Sequence, residues 1–258
     1  MSVEHFERTL DQVTLILFDM DGTLLDLAFD NQFWGEHIPQ AWAARHGHSL
    51  EQARALLQPR FAAEQGRLSW YSLPFWTDAL GLDVAALKHE YRGQIALRPA
   101  ALHVLDSLRS HGKRLWLVTN AHPLALALKL EQTGLAAYFE HIISSHDLGH
   151  AKEQAPFWQA LQQRYPFEPA RALMIDDSEA VLNAAQQAGL QVLGIQAPDS
   201  RLGARQGLHH PALPCWSELL PALAAAPTRP HIEASPPATG QQDYSIEAGR
   251  PDADRHGP

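Results

Sequence analysis

Asp19 and Asp21 stand two residues apart at the end of an apolar run, in the stretch VTLILFDMDGTLLD that covers residues 13–26. On an extended backbone, alternate side chains point the same way, so the two carboxylates project together. Held side by side they repel, and they need a cation, a shared proton or open solvent. The chemistry open to such a pair is cation binding, proton transfer and attack by a carboxylate oxygen. Gly22 comes next and lets the chain turn sharply. Three further places carry polar groups at the ends of apolar runs or just beyond them: Thr119-Asn120, Lys152 and Asp176-Asp177.

The elements that would position these groups follow from periodicity. Residues 13–18 read as a strand buried on both faces, with the carboxylate pair at its end. Further strands are expected over 114–119 (RLWLVT), 140–144, 171–175 (RALMI) and 191–195 (QVLGI), separated by helices over 100–110, 123–132, 154–165 and 179–188. Such alternation implies βαβ units and a mostly parallel sheet. Right-handed crossovers put every strand's carboxyl end on one edge, where an open α/β sheet holds its ligand. Topology would therefore gather Asp19, Asp21, Thr119, Asn120, Lys152, Asp176 and Asp177 into one site. Residues 1–12 read as a polar lead-in.

Residues 27–97 break the alternation. Helical spacing covers 31–46, 50–63, 71–80 and 84–95, interrupted at Gly47, Gly66, Gly81 and Pro99. Four of the seven tryptophans, Trp34, Trp42, Trp70 and Trp76, fall here, enough aromatic surface for a separate small core. The expected division is an α/β core over 10–26 and 98–224, with 27–97 inserted as a helical unit. From Pro227 to the end there are six prolines and no Leu, Val, Phe or Trp, so 227–258 is expected to be disordered.

DMDGT after an apolar strand resembles the first motif of the haloacid dehalogenase-like hydrolase superfamily, in its phosphatase branch. The wording LDLAFDNQFW, LVTNAHP and IDDSEA is closer still to a bacterial group of GMP/IMP nucleotidases. The resemblance spans about residues 10–224. It implies a Rossmann-like core with a helical cap, and a nucleophile at Asp19 with a general acid/base at Asp21. Phosphate-ester cleavage would then form an aspartyl-phosphate on Asp19, while Asp21 protonates the leaving oxygen and later takes a proton from water. Lys152 and Mg²⁺ would neutralise the phosphoryl charge. Asp19, the main chain of Asp21, and Asp176 or Asp177 offer the oxygen ligands that this hard ion prefers. Gly22, Thr23, Thr119 and Asn120, with Asp21 and Lys152, would bind substrate phosphate. Two departures from the family pattern stand out. Val181 replaces a further acid four residues after Asp177, and Glu153 rather than proline follows Lys152.

The implied substrate is a purine nucleoside 5′-monophosphate. A sugar-phosphate phosphatase or a phosphomutase needs the same residues, and a non-catalytic Mg²⁺- or nucleotide-binding module would keep the scaffold. A dehalogenase is disfavoured, because expelling halide leaves Asp21 without a task. Phe33, Trp34, Trp70 and Tyr71 are candidates to stack on a base, against the alternative of packing in the helical core. Asp30 and Asn31 could meet substrate or start the first inserted helix. Lys152 could instead be a solvated surface lysine, and His122, beside Asn120, could touch substrate or pack at a helix start.

Bulk properties narrow the field further. A formal charge of -9 lacks the basic balance of a nonspecific nucleic-acid binder. The single cysteine, Cys215, excludes an internal disulfide and suits a reducing cytoplasm. No apolar h-region opens the chain, and no apolar run approaches the ~20 residues of a membrane span. A small molecule is the expected partner and a monomer the default state. The fifteen histidines lack paired metal-ligand spacing, and there is no Walker-type phosphate loop.

Overall fold

A computed structural model describes residues 3–225. The tail expected to be disordered, 227–258, lies outside the described residues. The chain opens with α1 (Val3–Gln12) and enters the sheet at β1 (Leu15–Phe18). A helical excursion follows: α2 (Ala28–Gln32), a π turn over Phe33–His37, α3 (Ile38–His46), α4 (Leu50–Glu64), α5 (Leu73–Leu80) and α6 (Val84–Glu90). Alternation then resumes through α7 (Ala101–Ser110), β2 (Arg114–Thr119), α8 (Pro123–Thr133), β3 (His141–Ser144) and α9 (Ala155–Arg164). It finishes with β4 (Ala172–Asp176), α10 (Glu179–Gln187), β5 (Gln191–Ile195), β6 (Ala212–Leu213) and α11 (Leu220–Ala225).

The six strands form one parallel sheet in the order β3-β2-β1-β4-β5-β6. Having both neighbours parallel, β1 is buried at all four positions, as its LILF sequence requires. Alternate residues serve opposite faces. Ile16 and Phe18 pack with Leu117 and Ile175 beneath α7, while Leu15 and Leu17 pack with Trp116 and Met174 beneath α9 and α10. The chain leaves β1 toward β2 and β3, then returns to β1's other side at β4. That reversal opens a crevice at the carboxyl ends of β1 and β4, where such sheets bind ligands.

Helices inserted between β1 and β2 have a third core of their own, built on Phe33, Ile38, Trp42, Leu57, Leu73, Trp76, Leu80 and Val84. Local signals define several of its turns. Ser49 and Gln52 form a reciprocal capping box at the start of α4, and Gly47 and Gly81 close α3 and α5 in the left-handed conformation. The two connections to the sheet run side by side: Leu25 bridges Leu97 antiparallel, and Arg98 N–H donates to the Leu24 carbonyl at 2.9 Å. The architecture is thus a Rossmann-like α/β core with an inserted helical cap.

Three features differ from expectation. The polar lead-in is helical, because Phe6 and Leu10, one turn apart, bury their side chains on the sheet while charges separate them in sequence. β6 is two residues long, too short for a period, and approaches so closely that a Cβ on Gly194 would lie 3.1 Å from the Cβ of Ala212. The first inserted helix begins at Ala28 rather than residue 31, its first N–H bonded to Asp26 Oδ1 at 3.0 Å. Asp30 and Asn31 therefore lie within helical backbone and do not start it.

Candidate active site

Asp19 follows β1 directly, its N–H held by the Ile175 carbonyl at 2.9 Å, and only 6 % of the residue is exposed. Lys152, in the loop between β3 and α9, reaches it from the other side of the crevice. Its Nζ donates to Asp19 Oδ1 at 2.5 Å, to Asp176 Oδ2 at 2.8 Å and to the Val118 carbonyl at 3.0 Å. All three ammonium protons are used, and the residue is buried, so the solvated-lysine alternative is excluded. The loop is fixed at both ends of Lys152: its N–H donates to Asn120 Oδ1 and its carbonyl accepts Trp158 Nε1.

Carboxylate oxygens of Asp19, Asp176 and Asp177 lie within 4.8 Å of one another. Three acids share one close lysine, with Arg205 standing 3.9 Å from Asp177, so acids crowd a buried place where low dielectric makes their charge costly. Burial first, and then Asp176, push Asp19 up to about 7 against the pull of Lys152. Burial likewise raises Asp176, and it raises Asp177 well above the usual range with help from its acidic neighbours. Lys152 is pulled down by burial, but Asp176 and Asp19 outweigh this and hold it charged. An all-oxygen cluster richer in acids than in cations fits a hard divalent cation such as Mg²⁺.

Gly22 turns the chain at a positive φ of 83°, and a Cβ there would sit 2.8 Å from Asp177 Cγ. Glycine is needed at this position for both reasons. Asp177 is held more loosely than Asp176: Arg205 Nη2 stands 3.9 Å from its Oδ2, whereas both Asp176 oxygens accept bonds, from Lys152 and from Ser178 N–H. Val181 stands in place of a further acid, and its main-chain N–H donates to Oγ of Ser178, the N-cap of α10.

A cavity of about 760 Å³ separates the sheet edge from the cap. Asp19, Asp21, Thr119, Asn120, Lys152, Asp176 and Asp177 all line it, so the structure brings these expected residues together. Gly22 and Thr23 do not line it. Thr23 is fully buried, its hydroxyl without a partner among the described residues and its carbonyl bonded to Trp216 Nε1. Thr119 Oγ1 accepts the Ala121 N–H at 3.0 Å, and Asn120 Nδ2 donates to Glu153 at 2.9 Å, so both are already partly engaged. His122 starts α8, its Nδ1 accepting the Leu124 N–H, and it also lines the cavity.

On the cap side, Trp34, Trp70 and Tyr71 line the cavity, while Phe33 is fully buried in the cap core and cannot stack on a ligand. Trp34 and Trp70 stack on each other, 6.1 Å between centroids at 30°. Asn31 donates to Asp199, which is also gripped by Arg201.

Sequence reasoning missed Lys88, Lys129 and Glu153 as members of this site. Lys129 donates to Asp21 Oδ1 at 2.6 Å and to Asp30 Oδ2 at 2.7 Å, and Lys88 donates to Asp30 Oδ1 at 2.6 Å. Burial raises Asp21 to about 6 against the pull of Lys129. In Asp30 the order reverses, since Lys129 and Lys88 outweigh burial and hold it below the usual range. A signal for Lys129 was present: it falls one turn after Ala125 on the buried face of α8, an unusual place for a charge.

Comparison with known proteins places the chain in a family. A family model described as haloacid dehalogenase-like hydrolase matches residues 13–189. The chain is 40 % identical over 220 residues to GMP/IMP nucleotidase YrfG of Escherichia coli (strain K12), covering 85 % of this chain and 99 % of that protein. It is 27 % identical over 195 residues to phosphoglycolate phosphatase of Vibrio vulnificus (strain YJ016), covering 72 % and 85 % respectively. Among solved structures, a HAD phosphatase from Thermococcus onnurineus superposes with a TM-score of 0.68 at 25 % identity, covering 80 % of this chain and 96 % of that one. Matched by that family model over most of its length, and by relatives of this identity and coverage, this chain belongs to the haloacid dehalogenase-like hydrolases and is an enzyme.

Proposed function

We propose that the protein is a Mg²⁺-dependent phosphomonoesterase that converts nucleoside 5′-monophosphates, GMP and IMP preferred, to nucleoside and phosphate. The observation that carries the reading is Lys152 Nζ lodged between Asp19 and Asp176, with Asp177 completing the carboxylate cluster. The 40 % identity to a GMP/IMP nucleotidase supports the substrate class, and the cavity is of a size to enclose a small ligand.

Asp19 attacks phosphorus to form an aspartyl-phosphate. Lys152 faces the charge that develops on the phosphoryl oxygens and keeps the Asp19 oxygen oriented. Asp21 protonates the departing ester oxygen and then accepts a proton from the water that cleaves the acyl phosphate. Asp19, the Asp21 main chain, and Asp176 or Asp177 would hold Mg²⁺, which when bound neutralises phosphoryl charge and fixes the phosphate before the nucleophile. Thr119 and Asn120 donate to phosphate with their remaining protons, while Gly22 and Thr23 shape the turn that aims Asp21. The helices over 27–97 act as a cap on a core of 10–26 and 98–224, excluding water from the cavity. The setting we infer is cytoplasmic, with a small-molecule partner and no nucleic acid or membrane. No helix among the described residues is long and apolar enough to cross a membrane.

Purified protein assayed on a nucleotide panel, with Mg²⁺ and with chelator, tests this reading. Expected are release of inorganic phosphate from GMP and IMP, its loss on chelation, and its loss in Asp19→Asn. Phosphate transfer within the substrate in place of release would instead indicate a mutase. Activity that survives chelation or Asp19→Asn would refute the mechanism.

A further inference from the structure

Lys129 is 2 % exposed, and its ammonium spans two carboxylates, Asp21 at 2.6 Å from the core and Asp30 at 2.7 Å from the cap. Lys88 continues the row on the far side of Asp30 at 2.6 Å. All four side chains line the cavity. With Asp21 ionised, two positive and two negative charges sum to zero, so the row then adds little net field for attracting an anion. What it supplies is direction. Lys129 takes only Oδ1 of Asp21, and Oδ2 has no protein donor among the described residues. The terminal torsion of an aspartate is broad, and a carboxylate held at one oxygen loses that freedom. α8 carries Lys129 and starts just after Thr119-Asn120, so the clamp is built on the same rigid strand end as the phosphate donors.

We propose that Lys129 is a positioning residue, which holds Oδ1 of Asp21 so that Oδ2 meets the leaving oxygen of the phosphate ester, with Asp30 steadying Lys129 from the cap. The inference rests on the phosphomonoesterase reading above. In the step concerned, an Asp19 oxygen forms a bond to phosphorus and the bond from phosphorus to the ester oxygen breaks. The electron pair stays on the ester oxygen, which takes the proton from Asp21 Oδ2. Asp21 is left as a carboxylate facing the Lys129 ammonium. Water then attacks phosphorus, passes its proton to Asp21, and frees Asp19 and inorganic phosphate.

Leaving-group dependence tests the assignment. A nucleoside 5′-oxygen leaves as a strong base and needs the proton, whereas p-nitrophenolate leaves without one. In Lys129→Met, kcat/KM for GMP is expected to fall about 10²-fold, the lower end of what general acid catalysis supplies, while that for p-nitrophenyl phosphate stays within about threefold. Should Lys129→Met fail to fold, Asp30→Asn carries the same comparison, with a selective loss of about tenfold on GMP. Equal losses on both substrates, or no loss on either, overturn the positioning role while leaving the phosphatase reading intact. A wild-type protein inactive on both substrates overturns both.

Discussion

The Tyr71 hydroxyl donates to Glu153 Oε1 at 2.5 Å across 82 residues of chain, joining the cap to the residue after Lys152. Glu153 Oε2 in turn accepts Asn120 Nδ2, so one carboxylate ties cap, lysine loop and strand end together. Glu153 is also where the family pattern of a following proline is broken. Burial first, and then Glu153, raise the Tyr71 phenol far above neutrality, so it remains a donor across any assay range.

Removing that donor tests whether the tie closes the cavity. A hydrogen bond to a charged partner contributes about 1.5–3 kcal/mol, and Tyr71→Phe deletes it with little change in shape. KM for the nucleotide is expected to rise about tenfold with kcat nearly unchanged, since 1.4 kcal/mol is one decade. Steady-state kinetics on the variant decide it, and an unaltered KM would show that the contact has no role in substrate retention.

Gly22→Ala should damage metal binding specifically. The new Cβ would strike Asp177, and the left-handed backbone adds a strain of about 1–2 kcal/mol. Gly112→Ala makes a matched control, because its φ is also positive at 71° yet nothing lies within 4 Å of the added Cβ. Both variants should lose thermal stability from backbone strain, Gly22→Ala the more because of its clash with Asp177. Only Gly22→Ala should raise the Mg²⁺ concentration needed for half-maximal activity, which a titration of rate against Mg²⁺ measures.

Without the cation, stability should fall as pH rises toward neutrality, and the cation should offset that fall. Asp19 and Asp21 have folded pKa values of about 7 and about 6, both above an unfolded value of about 3.9. Between pH 4 and 7 the folded state therefore binds more protons than the unfolded state, and stability falls as pH rises through that window. Asp30 acts the other way: its depressed value makes it stabilising above about pH 4, with that contribution lost on further acidification. Chelated protein is expected to melt at a higher temperature at pH 5 than at pH 7.5. Added Mg²⁺ should raise the melting temperature more at pH 7.5, since it competes with protons for the same oxygens. Calorimetry at the two pH values, with and without chelator, reads this directly.

Trp70 is a cavity-lining ring that could separate base recognition from phosphate recognition, since it packs on Trp34 at the cap wall. Base–aromatic stacking contributes about 1–3 kcal/mol per base. Trp70→Leu should raise KM for GMP about tenfold, one decade per 1.4 kcal/mol, and leave p-nitrophenyl phosphate hydrolysis unchanged. A parallel loss on both substrates would mean that the ring serves only the cap core.

Much of the site could be read along the chain because its residues sit at strand ends. Asp19, Thr119 and Asp176 mark where apolar runs stop, and βαβ connectivity carries those stops to one edge regardless of loop detail. Elements of less regular pattern escaped. α1 shows too few apolar residues to stand out, and β6 has two residues and no period. Thr23 illustrates the opposite failure: it belongs to the motif but turns into the core beneath Trp216 rather than toward the cavity.

By itself the sequence determined the alternation of strands and helices, the inserted helices and the carboxylate pair, because burial periodicity and turn residues act over a few positions. Which cation meets which acid was decided by the tertiary structure alone. Lys129 is 108 residues from Asp21, and Lys152 is 133 from Asp19. An ion pair gains its energy from proximity inside low dielectric, and neither quantity exists until cap and sheet have closed around the cavity.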